Sequence, residues 1–464
     1  MGNKTALPPN WTVETIGDLG RVITGKTPST KDPGNFGGTI PFITPSDMDG
    51  RKRISRTARF LTDRGATSVS SANIPAGAVM VSCIGSDMGK ASIAGCDAVT
   101  NQQINSIIVK DVVSADYVYY NLSTRQTEIK HIGSGGSAVP ILNKGHFSQL
   151  QITLPPLPEQ KAIAHILGTL DDKIEVNRRM NETLEGMARA LFKSWFVDFD
   201  PVLDNALAAG NPIPEAFRDR AAQRADAATS AASQGRPFGL PNPLAAQFPN
   251  AFHDSDLGPI PQGWEVSTVG DIAEINNWTL GKRDALDIID YIEISEVMRG
   301  DIGKISRYAR GEEPSRARRR LKHGDTVLST VRPDRGAYFL ALQPRETLIA
   351  STGFAVLTPK DGNWAFLNAA TTQPEFGEEL GRLADGGAYP AIRPDVVGNR
   401  ELVIPGGGQL ATAFDELIQP LFWRSHQNRK ESRTLAALRD TLLPKLLSGE
   451  LRVNDAEKFV ERCV

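Results

Sequence analysis

One segment near the N-terminus matches the pattern of a phosphate-binding loop. Residues 20–27 read Gly-Arg-Val-Ile-Thr-Gly-Lys-Thr and fit G-x-x-x-x-G-K-[ST], with Lys26 as the phosphate-contacting lysine. Such a loop needs a helix directly after it, because the helix N-terminus and neighbouring backbone N–H groups bind the phosphates. Residues 28–34 read Pro-Ser-Thr-Lys-Asp-Pro-Gly, which disfavours a helix. We therefore interpret the match as fortuitous, and a nucleotide-dependent enzyme is kept only as an alternative.

Other catalytic signatures are missing from the sequence. It contains neither a G-x-S-x-G nor an H-E-x-x-H pattern, and its six histidines are scattered. Cys83, Cys96 and Cys463 lack the C-x-x-C spacing of zinc sites and redox pairs. We expect a chain that is not itself an enzyme and that has no metal or cofactor of its own.

Basic clusters and polar loops point instead to DNA. Arginines and lysines concentrate at residues 51–59 and again at 304–322, and the hexapeptide at Ile54 returns at Ile305, 251 residues later (305 − 54). Clusters in matched positions of a repeat favour phosphate contact over a merely solvated surface. Two corresponding loops, residues 82–90 and 329–336, follow apolar runs and are suited to base edges or backbone. The predicted DNA-contacting residues are Lys26, Arg51, Lys52, Arg53, Arg56, Arg59, Ser86, Lys90, Lys282, Lys304, Arg307, Arg310, Arg318, Arg319, Arg320, Arg332 and Arg335.

The elements that would position these residues occur twice. Trp11 and Trp264 each precede a Gly-Asp pair at the same spacing, and further matches lie about 250 residues apart. The net charge of −2 argues against a freestanding, unspecific nucleic-acid binder. A chain with two similar halves is expected to have pseudo-twofold symmetry and to recognise a partner with related symmetry.

Each half ends in a long amphipathic stretch with heptad spacing, which predicts a coiled-coil helix. Asn177 and Asn181 fall in the predicted seam, and Asn428 repeats Asn177. They are either surface residues in a misread register or buried residues that fix register and partner. Pro420 and Pro444 should bend or interrupt the second helix. The predicted pairing residues are Ile163, Leu167, Leu170, Ile174, Asn177, Leu184, Leu191, Leu435 and Leu442.

The predicted fold is α+β, with two similar mixed domains separated by two long antiparallel helices. The domains are residues 1–157 and 258–406, the helices are 158–200 and 407–450, and residues 451–464 form a tail. Residues 201–257 are interpreted as a linker that could include a short helix, because they have too little apolar surface for a core of their own. No run of about 18 apolar residues and no signal peptide are present, which predicts a cytoplasmic protein.

Three stretches resemble the specificity subunits of type I restriction–modification systems. They are Leu-Pro-Pro-Leu-Pro-Glu-Gln-Lys at 154–161, Lys-Ser-Trp-Phe-Val-Asp-Phe-Asp-Pro at 193–201, and Asp-Ser-Asp-Leu-Gly-Pro-Ile-Pro-Gln-Gly-Trp at 254–264. Residues 24–29 also resemble a loop common in this family, which accounts for the fortuitous match. The layout covers essentially the whole chain. The second helix departs from the pattern, because its entry at residues 405–409 reads Pro-Gly-Gly-Gly-Gln.

The resemblance implies that each mixed domain is a target-recognition domain for one half of a bipartite sequence in double-stranded DNA. The helices would set the spacer and bind two methyltransferase subunits that carry S-adenosylmethionine. Restriction subunits would add ATP- and Mg-dependent cleavage. An interaction scaffold that does not bind DNA remains the second alternative.

Overall fold

The computed structural model describes residues 7–134, 140–281, 284–387 and 390–460. It forms two compact units, unit 1 (Met1–Arg178 with Lys430–Val464) and unit 2 (Arg179–Arg429). The division falls inside two helices of 40 residues each, α6 (Leu157–Phe196) and α14 (Gln409–Ser448). Each unit therefore contains a mixed domain and one part of each long helix.

Unit 1 is built around a five-stranded and a four-stranded sheet. Its strands are β1 (Thr12–Thr15), β2 (Gly20–Thr24), β3 (Phe36–Ile43), β4 (Arg53–Ile54), β5 (Phe60–Leu61), β6 (Asn73–Ile74), β7 (Val79–Ser82), β8 (Ala91–Ala94), β9 (Ala98–Thr100), β10 (Ile104–Val109) and β11 (Gln151–Leu154). Its short helices are α1 (Ile16–Leu19), α2 (Asp63–Ser68), α3 (Ala115–Ser123), α4 (Gln126–Gly133) and α5 (Lys144–Ser148). The sheet orders are β2-β10-β7-β8-β4 and β5-β3-β9-β6, and β1 pairs with β11.

The central strand β7 is apolar on both faces because each face is covered. Val79 and Val81 pack into a core shared with α3 and α6, whereas Met80 packs into a second core on the other side. Side chains alternate between the faces of a strand, so an uninterrupted apolar run is what a doubly covered strand requires. This strand fixes where the following loop, residues 83–90, leaves the sheet.

Unit 2 repeats the same plan. Its strands are β12 (Phe252–Ser255), β13 (Gly258–Pro261), β14 (Trp264–Thr268), β15 (Ala273–Ile275), β16 (Ile288–Ile292), β17 (Val297–Met298), β18 (Asp301–Ile302), β19 (Ser306–Ala309), β20 (Ala317–Arg320), β21 (Asp325–Ser329), β22 (Tyr338–Ala341), β23 (Leu348–Ser351), β24 (Phe354–Pro359) and β25 (Glu401–Pro405). Its helices besides the long ones are α7 (Asp200–Ala209), α8 (Arg218–Ser233), α9 (Asn242–Ala245), α10 (Val269–Ile272), α11 (Trp364–Thr371), α12 (Pro374–Arg382) and α13 (Pro394–Gly398). The sheet orders are β15-β24-β21-β22 and β19-β16-β23-β20.

The internal repeat is therefore structural as well as sequential. The repeated Gly-Asp pairs belong to equivalent helix starts: Asp18 and Asp271 each complete a capping box with the threonine three residues before. Each aspartate carboxylate accepts a hydrogen bond from the backbone N–H of that threonine, and each threonine hydroxyl faces the first turn of the helix. These contacts satisfy backbone N–H groups that have no partner within the helix. The predicted α+β class with two similar domains is confirmed.

The segment interpreted as a linker is folded onto unit 2. Helices α7, α8 and α9 occupy much of residues 200–245, and Val202 and Phe248 are buried in an aromatic core with Trp195 and Trp264. Composition misled the prediction because a few large apolar side chains suffice when they pack onto an existing core. The tail is also partly helical: α15 (Val453–Val460) begins in it, and Ala456 packs into the core of unit 1.

Helices α6 and α14 pair antiparallel in both units. In unit 1, the Arg439 guanidinium meets the Asp171 carboxylate at 2.6 Å, and Asn177 Nδ2 donates to Glu431 Oε2 at 2.8 Å. In unit 2, Asn428 Nδ2 donates to Asn181 Oδ1 at 2.9 Å. Contacts therefore move backwards along α14 as they advance along α6.

The asparagines of the seam are buried, so the alternative that placed them on the surface is wrong. Helix α14 also continues through Pro420 and Pro444 without interruption. Of the predicted pairing residues, Ile163, Leu167, Leu170, Leu435 and Leu442 are buried in the core of unit 1, with Ile174 packed against it, and Leu184 and Leu191 are half-buried in unit 2.

Candidate DNA interface

The segment that matches a phosphate-binding loop uses its backbone donors internally. The Gly25 N–H donates to the Ile104 carbonyl at 3.0 Å, and the Lys26 N–H donates to the Thr100 carbonyl at 2.8 Å. Residues 25–32 contain no helix. A Cβ on Gly25 would lie 2.0 Å from the Asn101 carbonyl oxygen, so glycine is required by close packing. The loop therefore offers no cradle for a nucleotide, although the Lys26 side chain is exposed.

Unit 1 contains a polar cleft of about 350 Å³ that joins two predicted residues, Arg59 and Ser86. It also contains residues that the sequence prediction missed, notably Thr44, Asn101 and Gln103. Hydroxyl, amide and guanidinium groups are the donors and acceptors that read base edges in the major groove. The Arg59 guanidinium lies 5.1 Å from the centre of the Phe42 ring, which holds it at the cleft. A signal was available in the polar run at 101–103, directly before β10.

The first basic cluster is largely paired with carboxylates. The Lys52 side chain is only 12% exposed, and its ammonium lies 2.8 Å from Asp116 Oδ1 and above the Tyr120 ring. This burial argues against a phosphate contact for Lys52. Arg53 also pairs with Asp116, and Arg51 pairs with Asp49, each at 2.8 Å.

Arg56 is exposed in the same cluster. Lys90 pairs with Asp87 at 2.8 Å. The cluster therefore presents a mixture of charges and not a continuous cationic surface, and only part of it can meet a phosphate without first exchanging partners.

The second basic cluster is also neutralised in part. Arg307 Nε lies 2.8 Å from Asp290 Oδ1, and this hydrogen bond holds the pKa of Asp290 below its usual value. Arg310 and Arg318 share Glu313. The Asp290 and Glu313 side chains are only 8% and 5% exposed, so moving these arginines to a phosphate would leave a buried carboxylate without its partner.

Three further residues complete this cluster. Arg320 pairs with Asp284 at 3.2 Å. Burial lowers the pKa of Arg319, whose Nε has no hydrogen-bond partner among the described residues. Lys304 is exposed. Lys282, also predicted to contact DNA, lies outside the described residues.

The hexapeptide match that linked the two clusters is not a structural equivalence. Ile54 is fully buried in β4, which pairs with β8, whereas Ile305 is 37% exposed and precedes β19, which pairs with β16. In unit 2, Arg307 on β19 pairs with Asp290 on β16. The equivalent pair in unit 1 is Phe60 on β5 with Pro41 on β3, so Arg307 corresponds to Phe60. The argument from matched positions was therefore wrong. The similar hexapeptides lie on strands that are not equivalent, because the two domains differ in the lengths of the segments between their strands.

The two predicted recognition loops, in contrast, are equivalent. Residues 83–90 follow β7 and residues 330–337 follow β21, and both strands hold the third place in their sheets. Ser86 is exposed in the first loop, and Arg332 and Arg335 lie in the second. The fold thus brings polar or basic side chains to the same edge of each domain.

An exposed aromatic residue of unit 2 was also missed by the sequence prediction. Trp278 is 39% exposed, and the Lys322 ammonium lies 3.5 Å from the centre of its ring. An aromatic face beside cations is suited to contact with a base or sugar. The signal in the sequence was an isolated tryptophan, Trp278, four residues before Lys282.

The described part of the chain contains no group of three or more His, Cys, Asp or Glu side chains able to hold a metal ion. Within the same ranges no helix has the length and apolar character needed to cross a bilayer.

Comparison with known proteins finds a similar fold and one matching domain. The fold is similar to that of the S subunit of a type I restriction–modification system from M. genitalium, with a TM-score of 0.51 and 16% identity over 96% of this chain and 98% of that chain. A family model described as the type I restriction modification DNA specificity domain matches residues 8–186.

Two curated relatives are themselves type I specificity subunits. The MjaIX specificity subunit of Methanocaldococcus jannaschii is 26% identical over 97% of this chain and 95% of its own length. The HindI specificity subunit of Haemophilus influenzae is 35% identical over 38% of this chain and 39% of its own length. Residues 8–186 thus match the specificity domain, and the chain is similar over almost its whole length to a type I specificity subunit.

Proposed function

We propose that this chain reads a bipartite sequence in double-stranded DNA, with the mixed domain of each unit contacting one half. The observation that carries the proposal is the equivalence of the loops after β7 and β21, which place different side chains at the same edge of the same fold. Equivalent positions with different chemistry suit two half-sites of different sequence.

The charge distribution fits a reader that depends on partners for part of its affinity. The net charge is −2, and many of its surface arginines are paired with carboxylates. Affinity from phosphate contacts scales with the number of cations that meet the backbone. We infer that two methyltransferase subunits bind the long helices and supply both further DNA contacts and the S-adenosylmethionine. Restriction subunits would use ATP and Mg²⁺, and this chain would carry no catalytic group and no cofactor.

The helix pair would set the gap between the half-sites. Four residues inserted after Arg178 and four after Arg429 would lengthen both helices by about 6 Å, at 1.5 Å per residue. Base pairs are spaced by about 3.4 Å, so we expect a gap longer by about one or two base pairs with both half-site sequences unchanged. An altered half-site would contradict this role. Insertion in one helix only is the control, and it should destroy the register of the pair.

Methylome sequencing tests the function as a whole. A host is given the neighbouring methyltransferase with this chain, and in parallel without it. The proposal expects a two-part methylated motif with a fixed gap only when this chain is present. A stable complex without any new methylated motif would favour the scaffold alternative.

A further inference from the structure

Gly85 and Arg332 occupy the same position in the two recognition loops. The Gly85 N–H donates to the Pro140 carbonyl at 3.2 Å, and the Arg332 N–H donates to the Pro390 carbonyl at 2.8 Å. The preceding residues, Ile84 and Val331, each form an isolated antiparallel bridge to the residue after that proline. The backbone of the loop is therefore built in the same way in both units.

The shared backbone requires a left-handed residue at this position. Gly85 has φ +87° and Arg332 has φ +47°. Glycine adopts this region freely, whereas a side chain brings Cβ close to the following carbonyl oxygen. Unit 1 has glycine at this position, as the left-handed backbone favours, whereas unit 2 has an arginine. Strain of this kind is characteristic of functional sites, where the side chain is needed in that place.

A second strained arginine lies against the same loop. Arg299, in the turn between β17 and β18, has φ +44°, and its N–H donates to the Gly336 carbonyl at 2.8 Å. A Cβ built on Gly336 would lie 3.4 Å from Arg299 Cγ, so the Arg299 side chain packs on the loop that carries Arg332. Arg335, directly before Gly336, is exposed. Two adjoining loops of unit 2 thus concentrate arginines where unit 1 has its polar cleft.

We propose that Arg332 is a specificity-determining residue that reads a guanine in the half-site contacted by unit 2. The inference rests on the proposed function. A guanidinium can donate two parallel hydrogen bonds to guanine O6 and N7, a pairing that no other base edge offers. In unit 1 the equivalent Gly85 has no side chain, so the bases would be contacted by the cleft that contains Ser86, Asn101 and Gln103. The two half-sites are therefore read by different chemistry on one backbone plan.

The test separates base reading from backbone strain. Arg332→Gly removes the side chain and the strain together, and Arg332→Asn keeps a side chain that tolerates the left-handed region. Gln343→Gly is the matched control, because Gln343 has φ +48°, is exposed, and lies at the other end of β22 from this loop. All three variants should keep or raise the melting temperature of the complex. The methylome of each is then compared with that of the wild-type chain.

We expect both Arg332 variants to lose the requirement for guanine at one position of one half-site, with the other half-site and the gap unchanged. Discrimination at that base pair should fall roughly ten- to hundred-fold in binding to duplexes with and without the guanine. Gln343→Gly should leave the motif intact. An unchanged motif in the Arg332 variants, or methylation that weakens uniformly at all sites, would overturn base reading by Arg332 while the proposed function stood. No two-part motif with the wild-type chain would overturn both.

Discussion

Arg429 holds together three elements of unit 2, and its removal should be costly. Its guanidinium forms an ion pair with Glu185 on α6, and its Nε lies 2.6 Å from Asp301 Oδ1 at the start of β18. Its Nη1 also donates to Ser425 Oγ at 2.8 Å. The side chains of Glu185 and Arg429 are only 14% and 18% exposed. Arg429→Met would remove the ion pair and leave the buried Glu185 carboxylate with the hydrogen bond from the Ser425 hydroxyl.

The magnitude follows from that burial. Removing one partner of a buried pair costs about 3–5 kcal/mol. Asp301 is 63% exposed and regains water, so we discount the loss to about 2–3 kcal/mol. A unit of this size loses about 2–4 °C in melting temperature per kcal/mol, which gives a decrease of about 4–12 °C. The double variant Glu185→Met with Arg429→Met leaves no charge unpaired in this pair and should recover to within about 1 kcal/mol of the wild-type chain.

Thermal unfolding followed by tryptophan fluorescence can detect this change, because most tryptophans report on unit 2. Those in unit 2 are Trp195, Trp264, Trp278, Trp364 and Trp423, out of six in the chain. Arg382→Met is the control: its pair with Glu378 is a surface contact at 3.9 Å and should contribute nothing measurable. A melting temperature for Arg429→Met equal to that of the control, or a double variant less stable than the single one, would refute the reasoning.

Three further predictions concern buried polar groups and the nucleotide alternative. Replacing both Asn181 and Asn428 with leucine should leave the free energy of unfolding unchanged or raise it. Asn428→Leu alone should lower it by about 1–3 kcal/mol, measured by urea unfolding, because the buried Asn181 amide loses its partner. Burial raises the pKa of Asp325 from 3.8 to about 6 in the folded state, so its contribution to stability is complete below about pH 4 and is lost as pH rises through 6. Urea unfolding should show up to about 3 kcal/mol less stability at pH 7 from this group, and a slope that Asp325→Asn does not flatten would contradict the assignment. Equilibrium dialysis of the lone chain should detect no micromolar ATP binding with or without Lys26→Ala, and saturable binding lost in the variant would restore the nucleotide alternative.

Much of the architecture was predictable because it depends on local periodicity. The heptads of α6 and α14, the repeated Trp and Gly-Asp signals and the apolar strands each encode an element or a cap within a few residues. The absence of a helix after residue 27 was likewise readable from Pro28, Pro33 and Gly34. The positions of the two loops after β7 and β21 were predictable for the same reason, since each loop directly follows an apolar strand.

The amino-acid sequence by itself therefore determined the two similar domains, the paired helices and the resemblance to type I specificity subunits. Only the tertiary structure decided which basic side chains are paired with carboxylates and which are exposed to solvent. Lys52 and Arg59 lie only seven residues apart, yet Lys52 became a buried ion-pair residue and Arg59 a wall of the cleft. The packing of helix α3 brought Asp116 to Lys52, and the pairing of strand β3 brought Phe42 to Arg59. It also showed that residues 54 and 305 are not equivalent, whereas residues 85 and 332 are. Equivalence and pairing between residues distant in sequence depend on strand register and packing, which local patterns do not specify.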